Sequence, residues 1–209
     1  MRHASASALP TTQGIIDMRI ILASKSPRRR ELLSGLVSDF EIITAETDEV
    51  LGRDITPRDG VVILAERKGR AVITEALYDA IVISSDTLVE LDGVPLGKPS
   101  SRENAEQMLR SLSGRAHNVH TGVAVHYRGR CLSGVDTTRV IFRDMTDSEI
   151  GEYVESGEPM DKAGAYGIQG IGGKFVAGYE GRFDTVMGLP VELVRRLMNE
   201  AVGEERFTL

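Results

Sequence analysis

The sequence contains no tryptophan, one cysteine and an aromatic fraction of only 5% over 209 residues. So few rings leave no stacking platform of the kind that grips single-stranded nucleic acid. The lone Cys131 excludes a disulfide framework and a cysteine-based zinc site, and it fits a reducing, cytoplasmic setting. No apolar run approaches the ~20 residues that a membrane-spanning helix needs, so no membrane partner is expected. Positive charge is also scarce. With 25 Lys and Arg against 31 Asp and Glu, the formal net charge is -6, which argues against general nucleic-acid binding through a basic surface. His3, His117, His120 and His126 lack metal-ligand spacing. A Gly-x-Ser-x-Gly elbow, a Walker loop and a dinucleotide fingerprint are all missing in context, so the commonest hydrolase, P-loop and Rossmann readings lose support.

What remains is ordinary soluble composition, 41% hydrophobic and 27% charged, long enough to bury roughly 70% of the unfolded surface without a metal or disulfide. Residues 1–17 are rich in Ala, Ser and Thr without a period, and the apolar stretch Ala4 to Leu9 is short for a signal peptide. They read as a disordered extension, and residues 18–209 as a single domain. Apolar runs predict buried strands at Arg19 to Ala23, Phe40 to Thr44 and Ala80 to Ser84. Helical spacing follows Ser26-Pro27, Asp59, Ser100 and Pro190, with Ser100 and Glu103 read as a capping box, and Thr146 and Glu149 as another. Asp92-Gly93 marks a hairpin, and Arg128 to Arg130 joins two long strands. Residues 164–181 are glycine-rich and irregular. The alternation predicts an α/β fold with a mixed central sheet flanked by helices.

Several stretches carry chemistry. Ser24-Lys25-Ser26-Pro27-Arg28-Arg29 joins a strand to a helix N-terminus, where unpaired N–H groups, hydroxyls and forked guanidiniums suit a phosphate. A plain helix cap with solvated arginines is the competing reading. Asp86 closes the run Ala80 to Ile83, where the carboxyl end of a strand in an open sheet usually meets ligand. It suits a hard cation or a proton from water, but a turn Asp looks the same. The acidic loop Glu46, Asp48 and Glu49 invites the same two readings. Lys68 reads as a solvated helix residue, whereas Lys98 between Gly97 and Pro99 is restrained enough to meet a phosphate. Gln169, in the glycine-rich segment, carries the donor and acceptor with which an amide reads a nucleobase edge.

Taken in order, these stretches resemble the Maf family of nucleoside triphosphate pyrophosphatases, from Met18 to about Met198. The resemblance runs through Leu22 to Arg29, Asp48-Glu49, Lys68, Ser85-Asp86-Thr87, Gly97-Lys98-Pro99, Met108 to Gly114, Ala163 to Gly170 and Val186 to Pro190. Phe183 to Met187 and the stretch before Met18 depart from the family pattern. It implies two lobes around a cleft, as in the inosine triphosphate pyrophosphatases. It also implies that Asp86 activates water, that Ser24, Ser26, Arg28 and Arg29 hold phosphate, and that Glu49, Lys68 and Lys98 line the cleft. With Glu49 and Asp86 as ligands, a divalent cation such as magnesium or manganese would be the cofactor. Arg28, Thr87 and Gln169 resemble the subgroup that hydrolyses dTTP and UTP to the monophosphate and pyrophosphate. A homodimer is carried over from the family. Two alternatives stand beside this reading: a non-catalytic nucleotide-binding regulator of septum formation, and a 7-methyl-GTP pyrophosphatase.

Overall fold

Seven strands form a mixed sheet in the order β2-β1-β3-β5-β6-β7, with β4 paired to β3 off this path. The computed structural model describes residues 18–52, 54–203 and 206–208, so the expected extension at 1–17 lies outside the described residues. The strands are β1 (Ile20–Leu22), β2 (Glu41–Ile42), β3 (Ile81–Leu91), β4 (Val94–Leu96), β5 (Ala116–Tyr127), β6 (Arg130–Phe142) and β7 (Val176–Glu180). The helices are α1 (Pro27–Ser34), α2 (Pro57–Val72), α3 (Arg102–Leu112), α4 (Asp147–Glu155), α5 (Phe183–Met187) and α6 (Val191–Val202). β1 runs parallel to β2 and β3, and the remaining pairs are antiparallel. The α/β fold with its mixed sheet is therefore as expected. Among the described residues no helix is long and apolar enough to cross a membrane.

The long strands thread two separate hydrophobic cores. At one end Leu22, Ile81, Ile83, Val123 and Val125 pack with Leu33 of α1 and with Val194, Leu197 and Met198 of α6. At the other, Val89, Leu91, Val119 and Phe142 pack with Leu109 and Leu112 of α3, Tyr153 of α4, and Tyr166 and Phe175 of the glycine-rich segment. Strand alternation puts Ile81, Ile83, Val89 and Leu91 on one face of β3, since every second residue shares a side. On the opposite face Val82 joins Ile21, Ala23 and Val72 in a smaller cluster. There α2 lies close on the sheet. A Cβ on Gly122 of β5 would come within 2.3 Å of the Val61 carbonyl oxygen, so only glycine permits that approach.

Several boundaries differ from the sequence expectation. β3 does not stop before Ser85-Asp86-Thr87 but continues to Leu91, so Asp86 is in mid-strand. Thr56, not Asp59, caps α2, its hydroxyl accepting from the Asp59 N–H at 3.1 Å and donating to the Asp59 carboxylate at 2.7 Å. Ser101, not Ser100, caps α3, accepting from the Asn104 N–H. The capping box of Thr146 and Glu149 is present. The sequence reading does not include β7 and α5; the first is a short edge strand with a register shift opposite Ile141 and Phe142, and the second has five residues.

Candidate active site

The mixed sheet has an interruption on one side of β3. β1 accompanies β3 only as far as Leu22 opposite Ile83, and β4 joins at Val89 opposite Leu96. Between them, residues 84–88 have β5 on one side and no strand on the other. Past β1 the chain turns into α1. The Ser26 N–H donates to Ser24 Oγ at 3.2 Å, and Ser26 caps the helix with Pro27 in its first turn, which suits proline because its missing N–H would be unpaired there.

Arg29, one turn into α1, fills the interruption. Its Nη1 donates to the Ser85 carbonyl at 2.8 Å and to Ser24 Oγ at 3.3 Å, its Nε to the Gly188 carbonyl at 3.0 Å, and its Nη2 to Thr87 Oγ1 at 3.2 Å. None of these acceptors carries a charge. Burial pulls the guanidinium pKa down, while nearby Asp86 and Glu49 raise it and Arg28 lowers it further. A half-buried cation held only by neutral acceptors has no hydrogen-bonded counter-charge.

On the other face of β3, Asp86 points toward α2. Lys68 donates to Asp86 Oδ1 at 2.5 Å and lies 2.7 Å from Glu49 Oε1, with side-chain exposures of 20% for Lys68, 12% for Asp86 and 62% for Glu49. Lys68 is thus not the solvated helix residue that its sequence context suggested. It brings the acidic loop and the mid-strand carboxylate to one point. Glu49 is held below its ordinary pKa, first by the Lys68 hydrogen bond, against desolvation, with Lys98 and Arg29 contributing charge. Asp86 Oδ2 has no hydrogen-bond partner among the described residues.

Hydroxyls occupy the polar middle of the sheet. Thr121 Oγ1 donates to the Thr185 carbonyl at 2.7 Å, so Thr87, 3.0 Å away, donates to Thr121 and accepts from Arg29. Ser85 Oγ donates to the Gly188 carbonyl at 2.9 Å. Thr121 and Thr185 are in no motif read from sequence, and Ser85 and Gly188 lie in motifs that carry the resemblance without a role of their own. Hydroxyls and carbonyls within a strand or turn leave no spacing signal.

The expected residues fall into two groups. Ser24, Ser26, Arg29, Asp86, Thr87, Lys68 and Glu49 converge. Arg28 is half-buried and its charge reaches both Arg29 and Asp161. Lys98 is exposed and acts on Glu49 through its charge. Gln169 is exposed, without a side-chain hydrogen bond among the described residues. A cavity of about 310 Å³, lined in part by Ile73, Leu77, Tyr78, His126 and Cys131, includes none of these residues in its wall. It is placed by the α2 end and the β5–β6 hairpin.

Glu49 and Asp86 present hard oxygen donors, a set that magnesium accepts when one or two carboxylates are joined by substrate phosphates. Among the described residues no group of three or more His, Cys, Asp or Glu side chains could hold a metal alone, so the phosphates would have to complete the shell. The two carboxylates fit the ion on that condition, through the oxygens that the Lys68 ammonium does not take.

The chain is similar to several known proteins. A dTTP/UTP pyrophosphatase of Bacillus velezensis is 48% identical over 182 residues, spanning 87% of this chain and 96% of that protein. One of Bdellovibrio bacteriovorus is 42% identical over 187 residues, spanning 87% and 97%. A dITP/XTP pyrophosphatase structure from Mycobacterium abscessus is a loose likeness, with 14% identity and a TM-score of 0.43 over 89% of this chain and 96% of that one. The family described as Maf-like protein matches residues 19–201. The chain belongs to the Maf-like family.

Proposed function

We propose that this chain hydrolyses dTTP and UTP to the nucleoside monophosphate and pyrophosphate. The observation that carries the reading is the convergence on one interruption of the sheet of a cation, Arg29, and an acid, Asp86, from distant parts of the chain. The names of the relatives support the substrate. A triphosphate brings about four negative charges near neutral pH, and catalysis of its hydrolysis is mostly positioning and charge stabilisation. The α1 N-terminus with Ser24, Ser26, Arg28 and Arg29 receives phosphate oxygens, and Lys98 adds a point charge from the rim. Lys68 fixes Asp86 through Oδ1. That leaves Oδ2 to take a proton from the water attacking the α-phosphorus. A divalent cation on Glu49 and Asp86 would supply neutralising charge to the phosphates. Gln169 reads the base, with Arg28 and Thr87 as further specificity positions. Cytoplasmic residence and a homodimer belong to the same reading, the first supported by the free thiol of Cys131.

The test is incubation of purified protein and magnesium with canonical and modified nucleoside triphosphates, followed by pyrophosphate and orthophosphate detection. Pyrophosphate from dTTP and UTP is expected. Orthophosphate, or preference for 7-methyl-GTP, would overturn the reading, and bound nucleotide that stays intact would favour a non-catalytic regulator. In Asp86→Asn, nucleotide binding should survive while kcat falls about 10²- to 10⁴-fold, the range for loss of a general base. Wild-type turnover would remove Asp86 from the mechanism.

A further inference from the structure

The glycine-rich segment has few side chains with which to pack, so its backbone must find its shape through hydrogen bonds. One carboxylate supplies two of them. Glu158 Oε2 accepts from the Ile171 N–H at 2.8 Å, while Oε1 accepts from the Gly172 N–H at 3.1 Å and from the Tyr153 hydroxyl at 2.8 Å. The Tyr153 oxygen in turn accepts from the Gly167 N–H at 3.1 Å. Both ends of the Gly167–Gly172 loop are therefore tied to the same carboxylate and phenol pair. Successive backbone N–H groups converging on an anion form a concave binding site, here filled by the protein's own side chain. The approach is close. A Cβ on Gly170 would lie 2.4 Å from Glu158 Oε2.

Burial opposes the Glu158 charge, but the two amides, the phenol and Lys162 outweigh it and hold the carboxyl below its ordinary pKa. The clamp is anchored from beneath. The Tyr153 ring packs edge-on to Phe175 at 5.3 Å within the aromatic core. At its start, the segment is linked toward the phosphate turn: Arg28 acts on Asp161 through charge, and the Gly164 N–H donates to the Gly97 carbonyl beside Lys98 at 3.0 Å.

We propose that Glu158 is a positioning residue for substrate selection, its carboxylate holding the 167–172 loop so that Gln169 meets the base. The inference rests on the pyrimidine triphosphate reading above. Glu158 touches no reacting atom; it acts through the loop backbone. Replacing one carboxylate oxygen with an amide NH2 sets a donor against a donor and leaves a loop N–H unpaired.

The experiment compares wild type, Glu158→Gln and Tyr153→Phe by two measurements. In steady-state kinetics with dTTP, UTP, dGTP and dATP, Glu158→Gln should raise KM for the pyrimidine nucleotides about tenfold, as expected when one buried hydrogen-bonding group is left unpaired, with kcat little changed. The preference over purines should narrow in step. In native-state hydrogen exchange, the amides of Gly167, Ile171 and Gly172 should exchange about tenfold faster, while those of β3 and β5 keep their protection. Tyr153→Phe, which keeps the ring but removes the acceptor of the Gly167 N–H, should speed exchange at that amide most and shift the substrate ranking in the same direction by less. Unchanged exchange at the three amides, or an unchanged substrate ranking in a variant whose wild type prefers dTTP and UTP, would overturn the proposal. So would a fall in kcat at constant KM. A wild type without pyrimidine preference would sink the substrate reading and with it the selective role of the clamp; the exchange data would then report on loop structure alone.

Discussion

The two cores on either side of the polar middle of β3 are built differently. The buried core under the Ser24–Arg29 turn is made of aliphatic side chains from strands and from α1 and α6, among them Leu22, Leu33, Ile81, Ile83, Val194, Leu197 and Met198, with Phe40, Tyr127 and Phe207 only at its margin. The core at the other end holds Phe142, Tyr153, Tyr166 and Phe175, four of the few aromatic residues in the chain, with the buried His117. Aliphatic burial is non-directional and strong. It suits regular elements whose backbone bonds are already made. The aromatic end supports a segment with little regular structure. There the contacts are directional: edge-on rings at 4.7 Å between Phe142 and Tyr166, a His117 Nε2 to Tyr166 hydroxyl bond of 2.9 Å, and the Tyr153–Glu158 pair. The difference teaches that one end fixes the Ser24–Arg29 turn through helix and strand, while the other fixes a loop through oriented polar and ring contacts.

The largest effect should come from opening the aliphatic end. Leu197→Ala is expected to cost about 2–5 kcal/mol of stability, the usual range for truncating a buried leucine, read from the urea midpoint. At a temperature where the variant stays folded, its ranking of nucleoside triphosphates should match wild type. An altered ranking would erase the division of labour between the ends.

Acid should act first on the aromatic end. Burial lowers the His117 pKa from 6.5 to about 4, and its Nδ1 has no hydrogen-bond partner among the described residues. The folded pKa is therefore below the unfolded one, and the unfolded chain binds the proton more readily. This contribution is fully present above pH 6.5 and is lost as pH falls toward about 4, amounting to on the order of 3 kcal/mol. His117→Leu should flatten the dependence of the urea midpoint on pH across that window. An unchanged slope would show that another group governs acid sensitivity.

The smallest effect is on selection. Gln169→Glu removes the amide donor on an exposed loop residue, so stability should hold. Preference for dTTP and UTP over purine triphosphates should fall roughly several-fold, the worth of about one hydrogen bond. An unchanged ranking would show that the amide does not read the base.

Regular elements were legible where periodicity was strong: β1, α1, β5, β6, α4 and α6 follow from apolar spacing and caps. The middle of β3 was not, because the apolar run ends at Ser84, and Ser85, Asp86 and Thr87 read as the strand's end. They stay in the strand because each finds a partner. Ser84 Oγ donates to the Ala65 carbonyl at 2.7 Å, Asp86 accepts from Lys68, and Thr87 bridges Arg29 and Thr121. Such partners come from distant parts of the chain and leave no local mark. The same holds for Lys68, whose neighbours in sequence say only that it is on a helix. Glu158 gave no signal at all, since its ligands are backbone amides with no residue preference. The phosphate turn was readable because a strand, a Ser-Pro cap and paired arginines are all local.

Arg29 has a second consequence beyond charge. The carbonyl it takes from Ser85 belongs to backbone that has no neighbouring strand on that side, and unpaired strand backbone is a template for intruding chains. A guanidinium plugs that seam. Truncating it would expose a sticky edge in the midst of the sheet as well as weaken any phosphate contact. An inactive Arg29 variant is thus to be interpreted only once its solubility and state of association are known.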